Sequence, residues 1–313
     1  MLTIFWTLSY ILLVVRFSIA ENSTNLSKRG LVYIGTSHPS DYQLFTSRSS
    51  PLTWYYTFAT WPALSHSSLD FAPMIHGTLD AADAVPSIKS MASSGGITHV
   101  LVYNEPDGST ESGGSNLTPD DAARTYLDTI APLRDAPYNL KMSLPSTTGS
   151  PNGLNWLREF NSSCHNITSG GCPSDFLAAH WYGGFPGLAS WLGTLHQLYP
   201  TLPIWLTEFA LPAFPENITY DFVNQTISYL DQLDYVERYS YFGTFRREAA
   251  NNFTGPNVAM LDDSGSLTRI GALYLGGNQT GFAVGMKGMG GRTEPVLSWL
   301  ALAVAVVTAI ILA

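Results

Sequence analysis

The sequence predicts an α/β fold, a single (β/α)8 TIM barrel. The chain has 313 residues, of which 45% are hydrophobic, so it is long enough to bury one large core. Eight short apolar runs alternate with polar, Gly/Pro-rich or helix-compatible segments, which is the pattern of strands that alternate with helices. No internal repeat marks a second domain. A doubly wound open sheet is the alternative arrangement of the same elements.

Each predicted strand is an apolar run that ends near Gly, Pro or a polar residue. The eight runs cover residues 31–35, 52–58, 71–76, 98–104, 139–144, 176–182, 204–208 and 236–243. Pro73 interrupts the third run, which a strand tolerates at its start or at a bulge. The predicted helices cover residues 79–93, 152–160, 188–198 and 220–233, and another starts at residue 118. Thr118 can cap that helix, and Pro119 suits its first position.

Two predicted strands end on a carboxylate. The fourth stops at Asn104, Glu105 and Pro106, because proline cannot continue a strand ladder, and the seventh ends on Glu208. In a closed barrel these strand ends face each other across the mouth, where catalytic groups are mounted. Such a pair suits glycosidic bond cleavage, in which one carboxyl protonates the leaving oxygen and the other attacks or stabilises the anomeric carbon. Either glutamate alone is equally typical of a salt bridge or a cap, so the pairing carries the prediction.

Composition excludes several classes of function. The net charge is -9 with only 15 Lys plus Arg, so no basic stripe is present to hold nucleic acid. The chain lacks a nucleophile elbow, a phosphate loop and a dinucleotide fingerprint. No clustered histidine spacing completes a metal site, so we expect neither a metal nor a cofactor. Cys164 and Cys172 are the two cysteines, and we expect them to pair in an oxidising compartment.

The N-terminus predicts secretion. Residues 1–20 form an apolar stretch with small residues where signal peptidase cuts, so we expect a signal peptide, with a membrane anchor as the alternative. Residues 21–29 form a short N-terminal segment that ends on Lys28 and Arg29. This basic pair is either a pro-peptide cleavage site or a solvated turn. The barrel domain is then expected over residues 30–276.

The C-terminus predicts a lipid anchor. Residues 296–313 are uncharged and long enough to cross a bilayer, but no cytoplasmic flank follows them. Residues 277–295 form a Gly-rich spacer with small candidate attachment residues, among them Gly285 and Gly288. This order is the signal for a glycosylphosphatidylinositol anchor. A transmembrane helix is the alternative.

Asn-x-Ser/Thr sequons support secretion independently. They begin at Asn22, Asn25, Asn116, Asn161, Asn166, Asn217, Asn224, Asn252 and Asn278. Acceptor asparagines of this kind mark surface positions of a secreted protein. We therefore expect a monomeric glycoprotein at the cell surface or in the cell wall, held to the plasma membrane through its lipid anchor.

Four short motifs, in this order and at these strand positions, carry a family resemblance. They are Asn104-Glu105-Pro106-Asp107, His180-Trp181-Tyr182, Thr207-Glu208-Phe209 and Glu237-Arg238-Tyr239. With them the sequence resembles the fungal cell-wall β-1,3-glucanases of glycoside hydrolase family 128 over residues 31–276. The resemblance implies a β-glucan substrate and a retaining double displacement, with Glu105 as acid/base and Glu208 as nucleophile. The alternative is a surface-anchored wall protein that binds β-glucan without cutting it.

Further residues are expected to hold the sugar. Asn104 is suited to the 2-hydroxyl group, which is bound more tightly in the transition state. Trp181, Tyr182 and Trp54 are candidate stacking platforms, since sugar faces present C–H groups to aromatic rings. For each of the three aromatic residues a place in the core is the alternative.

Two histidines and a tyrosine complete the expected set. His76 and His180 can orient the substrate or a catalytic carboxylate, and a buried, satisfied histidine is the alternative for each. The sequence departs from the family at His76 and Tyr241, where tryptophan is common. Both residues are expected near the sugar-binding mouth.

Overall fold

The computed structural model describes residues 27–35, 38–64 and 67–288. The predicted signal peptide 1–20, the hydrophobic tail 296–313, and the sequons at Asn22 and Asn25 lie outside these residues. Of the predicted spacer 277–295, only the part up to residue 288 is described.

The described chain folds around a curled sheet in which all paired strands run parallel. The strands are β1 Arg29–Val32, β2 Trp54–Tyr56, β3 Asp70–Phe71, β4 Met74–Ile75, β5 His99–Val102, β6 Lys141–Leu144, β7 Phe176–Tyr182, β8 Ile204–Ala210 and β9 Val236–Tyr241. Their order in the sheet is β3-β2-β1-β9-β8-β7-β6-β5-β4. The predicted eight strands are all present, but one of them is split.

The split strand is the third predicted run, and it corrects the predicted count of eight. β3 pairs with β2, whereas β4 pairs with β5, so the chain changes partner between Phe71 and Met74. Pro73 lies in this step and has no N–H group to donate, but its carbonyl accepts a hydrogen bond from the Leu101 N–H at 2.9 Å. The Ala72 N–H donates to the Tyr55 carbonyl at 2.9 Å. One short segment thus contacts both ends of the sheet order.

Seven α-helices accompany the sheet in the described ranges. They are α1 Tyr42–Phe45, α2 Ala81–Ser93, α3 Pro119–Thr125, α4 Pro151–Ile167, α5 Phe185–Leu198, α6 Glu216–Gln232 and α7 Arg269–Tyr274. The predicted start of α3 is confirmed, because the Thr118 hydroxyl accepts a hydrogen bond from the Asp121 N–H at 3.2 Å. A side-chain cap of the same kind starts α4, where the Ser150 hydroxyl accepts a hydrogen bond from the Gly153 N–H at 3.0 Å.

Apolar side chains fill both faces of the sheet. A large outer cluster lies between the strands and the helices. A smaller inner cluster is formed by Val32, Trp54, Tyr56, Ala72, Met74, Leu101, Phe176, Ala178 and Trp205. Several of its largest rings come from the amino ends of the strands. This end of the sheet is therefore packed, and the opposite end is left for a site.

The structure also tests smaller predictions. Cys164 and Cys172 form the predicted disulfide, which links the last turns of α4 to the segment before β7. The asparagines of the seven sequons within the described residues are all exposed, so they are accessible to modification. Their glycosylation stays a prediction.

The described ranges contain neither a candidate membrane span nor a candidate metal site. No helix there is long and apolar enough to cross a membrane. No group of three or more His, Cys, Asp or Glu side chains in those ranges is placed to hold a metal ion.

His99, at the amino end of β5, predicts how stability depends on pH. Its ring lies 4.8 Å from that of Trp205. Burial, followed by the charges of Arg238 and Lys141, lowers the pKa of His99 to about 4, against the opposing effects of Glu237 and Asp70. The unfolded chain binds a proton at this residue below about pH 6.5, which the folded protein does not bind until about pH 4. We therefore expect the free energy of unfolding to decrease as pH falls through this window.

This expectation is checked by urea unfolding of the protein and of the His99→Gln variant across that pH range. The variant is less stable at neutral pH, because it loses ring contacts, but it should lose less stability on acidification. Exposed His165 gives the control variant His165→Gln, which should keep the wild-type slope. Equal pH slopes for all three proteins would contradict the role of His99.

Candidate active site

A cleft of about 800 Å3 opens where the parallel strands end. Asn104 and Glu105 line it just beyond β5, Tyr182 lines it at the end of β7, and Glu208 lines it near the end of β8. Its other lining residues include the apolar side chains of Ile34, Phe58, Phe242 and Phe253. The fold thus brings both predicted catalytic carboxylates into one cleft.

Glu105 enters the cleft because the chain turns sharply after β5. Tyr103 and Glu105 have φ angles of 56° and 39°, in the left-handed region that residues with a side chain seldom adopt. Between them, Asn104 still forms a parallel bridge with Ser146. The Glu105 N–H donates to the Ser146 carbonyl at 2.8 Å. The strand therefore ends before Pro106, through backbone conformation, and the carboxylate leaves the ladder facing the cleft.

Glycine lets the next loop fold over this turn. A Cβ atom on Gly114 would lie 2.6 Å from the carbonyl oxygen of Glu105, which no side chain could occupy without a shift of the backbone. The Ser115 N–H and hydroxyl both donate to the Asn104 carbonyl at 2.9 Å. This loop fixes the turn that presents Glu105.

Glu208 faces the cleft because β8 is irregular. Trp205 belongs to the inner cluster, so strict alternation along the strand would turn Glu208 outward and Phe209 inward. Register shifts interrupt the pairing between Leu206 and Phe209 and next to His180 on β7. As a result Phe209 packs in the outer cluster, and Glu208 lies opposite His180 and lines the cleft. Irregularities of this kind commonly re-aim a side chain at a site.

His180 connects the two carboxylates. Its Nδ1 lies 3.0 Å from Glu105 Oε1, and its Nε2 lies 3.4 Å from Glu208 Oε1. The second contact is an ion-pair distance rather than an aligned hydrogen bond. Burial lowers the pKa of His180, but the Glu208 and Glu105 carboxylates outweigh it, and the pKa is raised above its ordinary value. The fully buried imidazole of His180 therefore binds its proton more tightly than a solvent-exposed imidazole does.

Two tyrosine hydroxyls donate to Glu208. The Tyr182 hydroxyl lies 2.5 Å from Oε2, and the Tyr56 hydroxyl lies 3.3 Å from Oε1 and 3.1 Å from the Thr207 carbonyl, so its single proton is shared between these two acceptors. Burial raises the pKa of Glu208 above its ordinary value; His180 and both hydroxyls oppose this effect, whereas Glu105 adds to it. Burial raises the pKa of both tyrosines well above 10, so they remain donors. All these donors favour the ionised carboxylate in a place where burial disfavours it.

Asn104 and His76 form a second polar group in the cleft. The Asn104 amide donates to the Gly113 carbonyl at 3.0 Å, and His76 Nε2 lies 3.2 Å from the same oxygen. Asn104 Oδ1 is buried and has no hydrogen-bond partner among the described residues, so it is an acceptor available beside Glu105. His76 lines the cleft, near the mouth as expected.

Three residues expected to bind sugar lie elsewhere. Trp54 is fully buried at the amino end of the sheet, where its indole N–H donates to the Lys28 carbonyl at 3.2 Å. Tyr241 is fully buried in the outer cluster, with its ring 5.4 Å from that of Phe209. Neither residue offers a ring face to a sugar, and both expectations are corrected. Trp181 is partly buried and does not line the cleft, because its indole turns back to donate to the Gly184 carbonyl at 3.2 Å.

Other residues were not singled out by the sequence. Tyr56 lies in a strand of consecutive aromatic residues, and nothing in the sequence marks it as a partner of Glu208. Phe253 lies in a polar loop, where its single aromatic ring gives no periodic signal. The motif residue Glu237 serves another purpose, because its carboxylate accepts a hydrogen bond from the Trp205 indole at 2.7 Å.

Comparisons with known proteins identify the family of the chain. The family model of the glycosyl hydrolase catalytic core matches residues 30–274. Alkali-sensitive linkage protein 1 of Schizosaccharomyces pombe is 31% identical over 257 residues, which are 79% of this chain and 44% of that protein. The chain therefore spans less than half the length of this relative.

Two solved structures share the fold. A family 128, subgroup VI, exo-β-1,3-glucanase from Aureobasidium namibiae has a TM-score of 0.68 and 23% identity, and the match covers 82% of this chain and 98% of that one. A subgroup I endo-β-1,3-glucanase mutant from Amycolatopsis mediterranei, in complex with laminarihexaose, has a TM-score of 0.62 and 25% identity over 80% of this chain and 99% of that one. With two carboxylates in one cleft, this chain belongs to the glycosyl hydrolase catalytic core family, and it shares its fold with solved structures of glycoside hydrolase family 128.

Proposed function

We propose that the protein hydrolyses β-1,3-glucan by a retaining double displacement. Glu208 is the nucleophile, and Glu105 is the acid/base. The observation that carries the proposal is that both carboxylates line one cleft and contact one buried imidazole, from the ends of two different strands. The linkage is inferred from relatives, among them β-1,3-glucanases of the exo and endo types.

The reaction proceeds in two steps. The Glu208 carboxylate attacks the anomeric carbon while Glu105 gives its proton to the departing glycosidic oxygen, which leaves a glycosyl ester on Glu208. Ionised Glu105 then takes a proton from water, and the water oxygen attacks the same carbon. Glu208 leaves as a carboxylate, Glu105 is protonated again, and the sugar keeps its β configuration.

The neighbouring groups set the charges for these steps. Tyr182 and Tyr56 hold the two oxygens of Glu208 in a fixed orientation for attack. His180 is a positioning residue, whose ring lies between the two carboxyl groups and whose positive charge favours the ionised form of Glu208. The free acceptor Asn104 Oδ1 receives a hydrogen bond from the sugar 2-hydroxyl.

The proposal extends to the form and place of the enzyme. The sheet is a closed (β/α)8 barrel. Support for closure comes from the segment 70–75, because its first half pairs with β2 and its second half pairs with β5, at opposite ends of the strand order.

The enzyme is a secreted monomer at the cell surface, carrying a lipid anchor and glycans. Support for this comes from the sequence of both termini and from the exposed asparagines of the described sequons.

The activity is tested with protein from which residues 1–20 and 289–313 are removed. We expect it to release new reducing ends from a linear β-1,3-glucan, and we expect much less from a β-1,4-glucan of similar length. Reducing-sugar assays and chromatography of the products measure the release. Binding to β-1,3-glucan without any release would favour the alternative, a wall protein that binds glucan without cutting it.

The two glutamates are distinguished by azide. Glu208→Ala should lower the rate on the order of 10⁴-fold or more, because no nucleophile remains. Azide then attacks the substrate directly and gives the α-glycosyl azide. In Glu105→Ala the glycosyl ester still forms from a substrate with a good leaving group, and azide opens it to the β-glycosyl azide. Proton NMR of the products reads the configuration, and full hydrolysis by Glu208→Ala would refute the assignment.

The acidic limb of the activity profile tests His180. The nucleophile must be ionised, so kcat/KM falls as pH decreases through the pKa of Glu208, which burial raises. The His180 charge lowers that pKa, so His180→Asn should move the acidic limb to higher pH. The matched control is His196→Asn, because His196 lies in α5, stacks on the ring of Tyr235 and does not line the cleft. An acidic limb that stays in place in His180→Asn would contradict the charge role.

A further inference from the structure

Phe253 is an apolar side chain left open to solvent in the wall of the cleft. Its exposed fraction is 59%. Among the large apolar side chains exposed in the described ranges, it is the one that lines the cleft. An exposed aromatic ring in a sugar-binding cleft has the chemistry of a stacking platform, because its face can cover the C–H groups of a pyranose ring.

The turn that carries Phe253 is held firmly on both sides of the ring. Asn251 Oδ1 accepts hydrogen bonds from the Thr254 N–H at 2.8 Å and from the Thr254 hydroxyl at 2.9 Å. Thr254 is 1% exposed, and its carbonyl accepts from the Ala213 N–H at 2.9 Å. The turn is therefore fixed to the loop after β8. A ring presented by a fixed turn loses little conformational entropy when a ligand covers it.

The ring is also close to the reacting groups. Phe253 meets Tyr182 edge-to-face, with 5.3 Å between the ring centroids, and Phe242 meets the same tyrosine at 5.7 Å. The Tyr182 hydroxyl donates to Glu208 at 2.5 Å. The Phe253 ring therefore contacts the same tyrosine whose hydroxyl binds the proposed nucleophile, Glu208. A sugar unit on the open face of Phe253 would lie near the glycosidic bond that is cleaved.

We propose that Phe253 is a stacking platform for a glucose unit of the bound glucan, close to the reacting bond, and that it determines how tightly short chains bind. The inference rests on the proposed function, since the ligand is the same β-1,3-linked chain. The Asn252-Phe-Thr254 sequence is also a glycosylation sequon, so the variants change residue 253 alone and keep both sequon positions.

Binding is measured without hydrolysis in a Glu208→Ala background, by calorimetry with laminarihexaose. We expect Phe253→Ala to weaken binding by about 3- to 10-fold, the factor that corresponds to an aromatic contact, and Phe253→Trp to restore it. Phe214→Ala is the matched control, because Phe214 is also exposed but does not line the cleft, and it should leave the affinity unchanged. Equal affinities with and without the Phe253 ring would overturn the proposal.

Kinetics with the intact catalytic residues separates a platform from a structural role. For a platform, Phe253→Ala raises KM for short β-1,3-oligosaccharides and leaves the acidic limb of kcat/KM in place. A shift of that limb would show that Phe253 acts through Tyr182 and Glu208, and would overturn the proposal. If the parent protein neither binds nor cleaves β-1,3-glucan, the proposed function fails; if it cleaves and Phe253→Ala behaves like the parent, the platform alone fails.

Discussion

The contact of one imidazole with two carboxylates is the constraint on which the site depends. His180 is fully buried, and the Glu208 side chain beside it is 6% exposed. Removing ionised groups from water costs several kcal/mol each, and two like charges add repulsion. The arrangement is tolerable because the imidazole lies between the carboxylates and two tyrosine hydroxyls donate to Glu208. The turn at Glu105 and the register shifts beside Glu208 hold these groups at these distances.

The backbone meets this constraint by departing from regular strands. Glu105 reaches the imidazole through a turn with two left-handed residues, at a cost of about 1 to 3 kcal/mol each. Glu208 reaches it through the register shifts of β7 and β8. Such strain persists where the surroundings determine it fully, and here Gly114 and Ser146 close over the turn. The two proposed catalytic carboxylates therefore lie at irregular positions, and the regular strands serve as the frame.

The sequence predicts the frame well and the faces of its strands poorly. β7 spans residues 176–182 as predicted, because an apolar run there ends at glycine. The strand end before Glu105 follows from the same reasoning, whereas β8 continues past the predicted end at Glu208 to Ala210. The sequence misplaces Trp54 and Tyr241 because β2 and the second half of β9 are buried on both faces, so alternation does not tell which side chain reaches the cleft. The inward turn of Glu208 depends on irregular pairing between strands, which a single sequence does not record.

The aromatic residues divide between the two ends of the sheet, and the division links stability to catalysis. At the amino end, Trp54 packs 5.0 Å from Trp205, and the Arg238 guanidinium lies 4.4 Å above the Trp205 ring. Tyr56 stacks on Trp54 at 6.0 Å and donates to Glu208 from the same strand. The rings packed at the amino end of the sheet and the Glu208 carboxylate thus form one continuous column. Arg238, a motif residue outside the cleft lining, belongs to the same column and contributes to its packing.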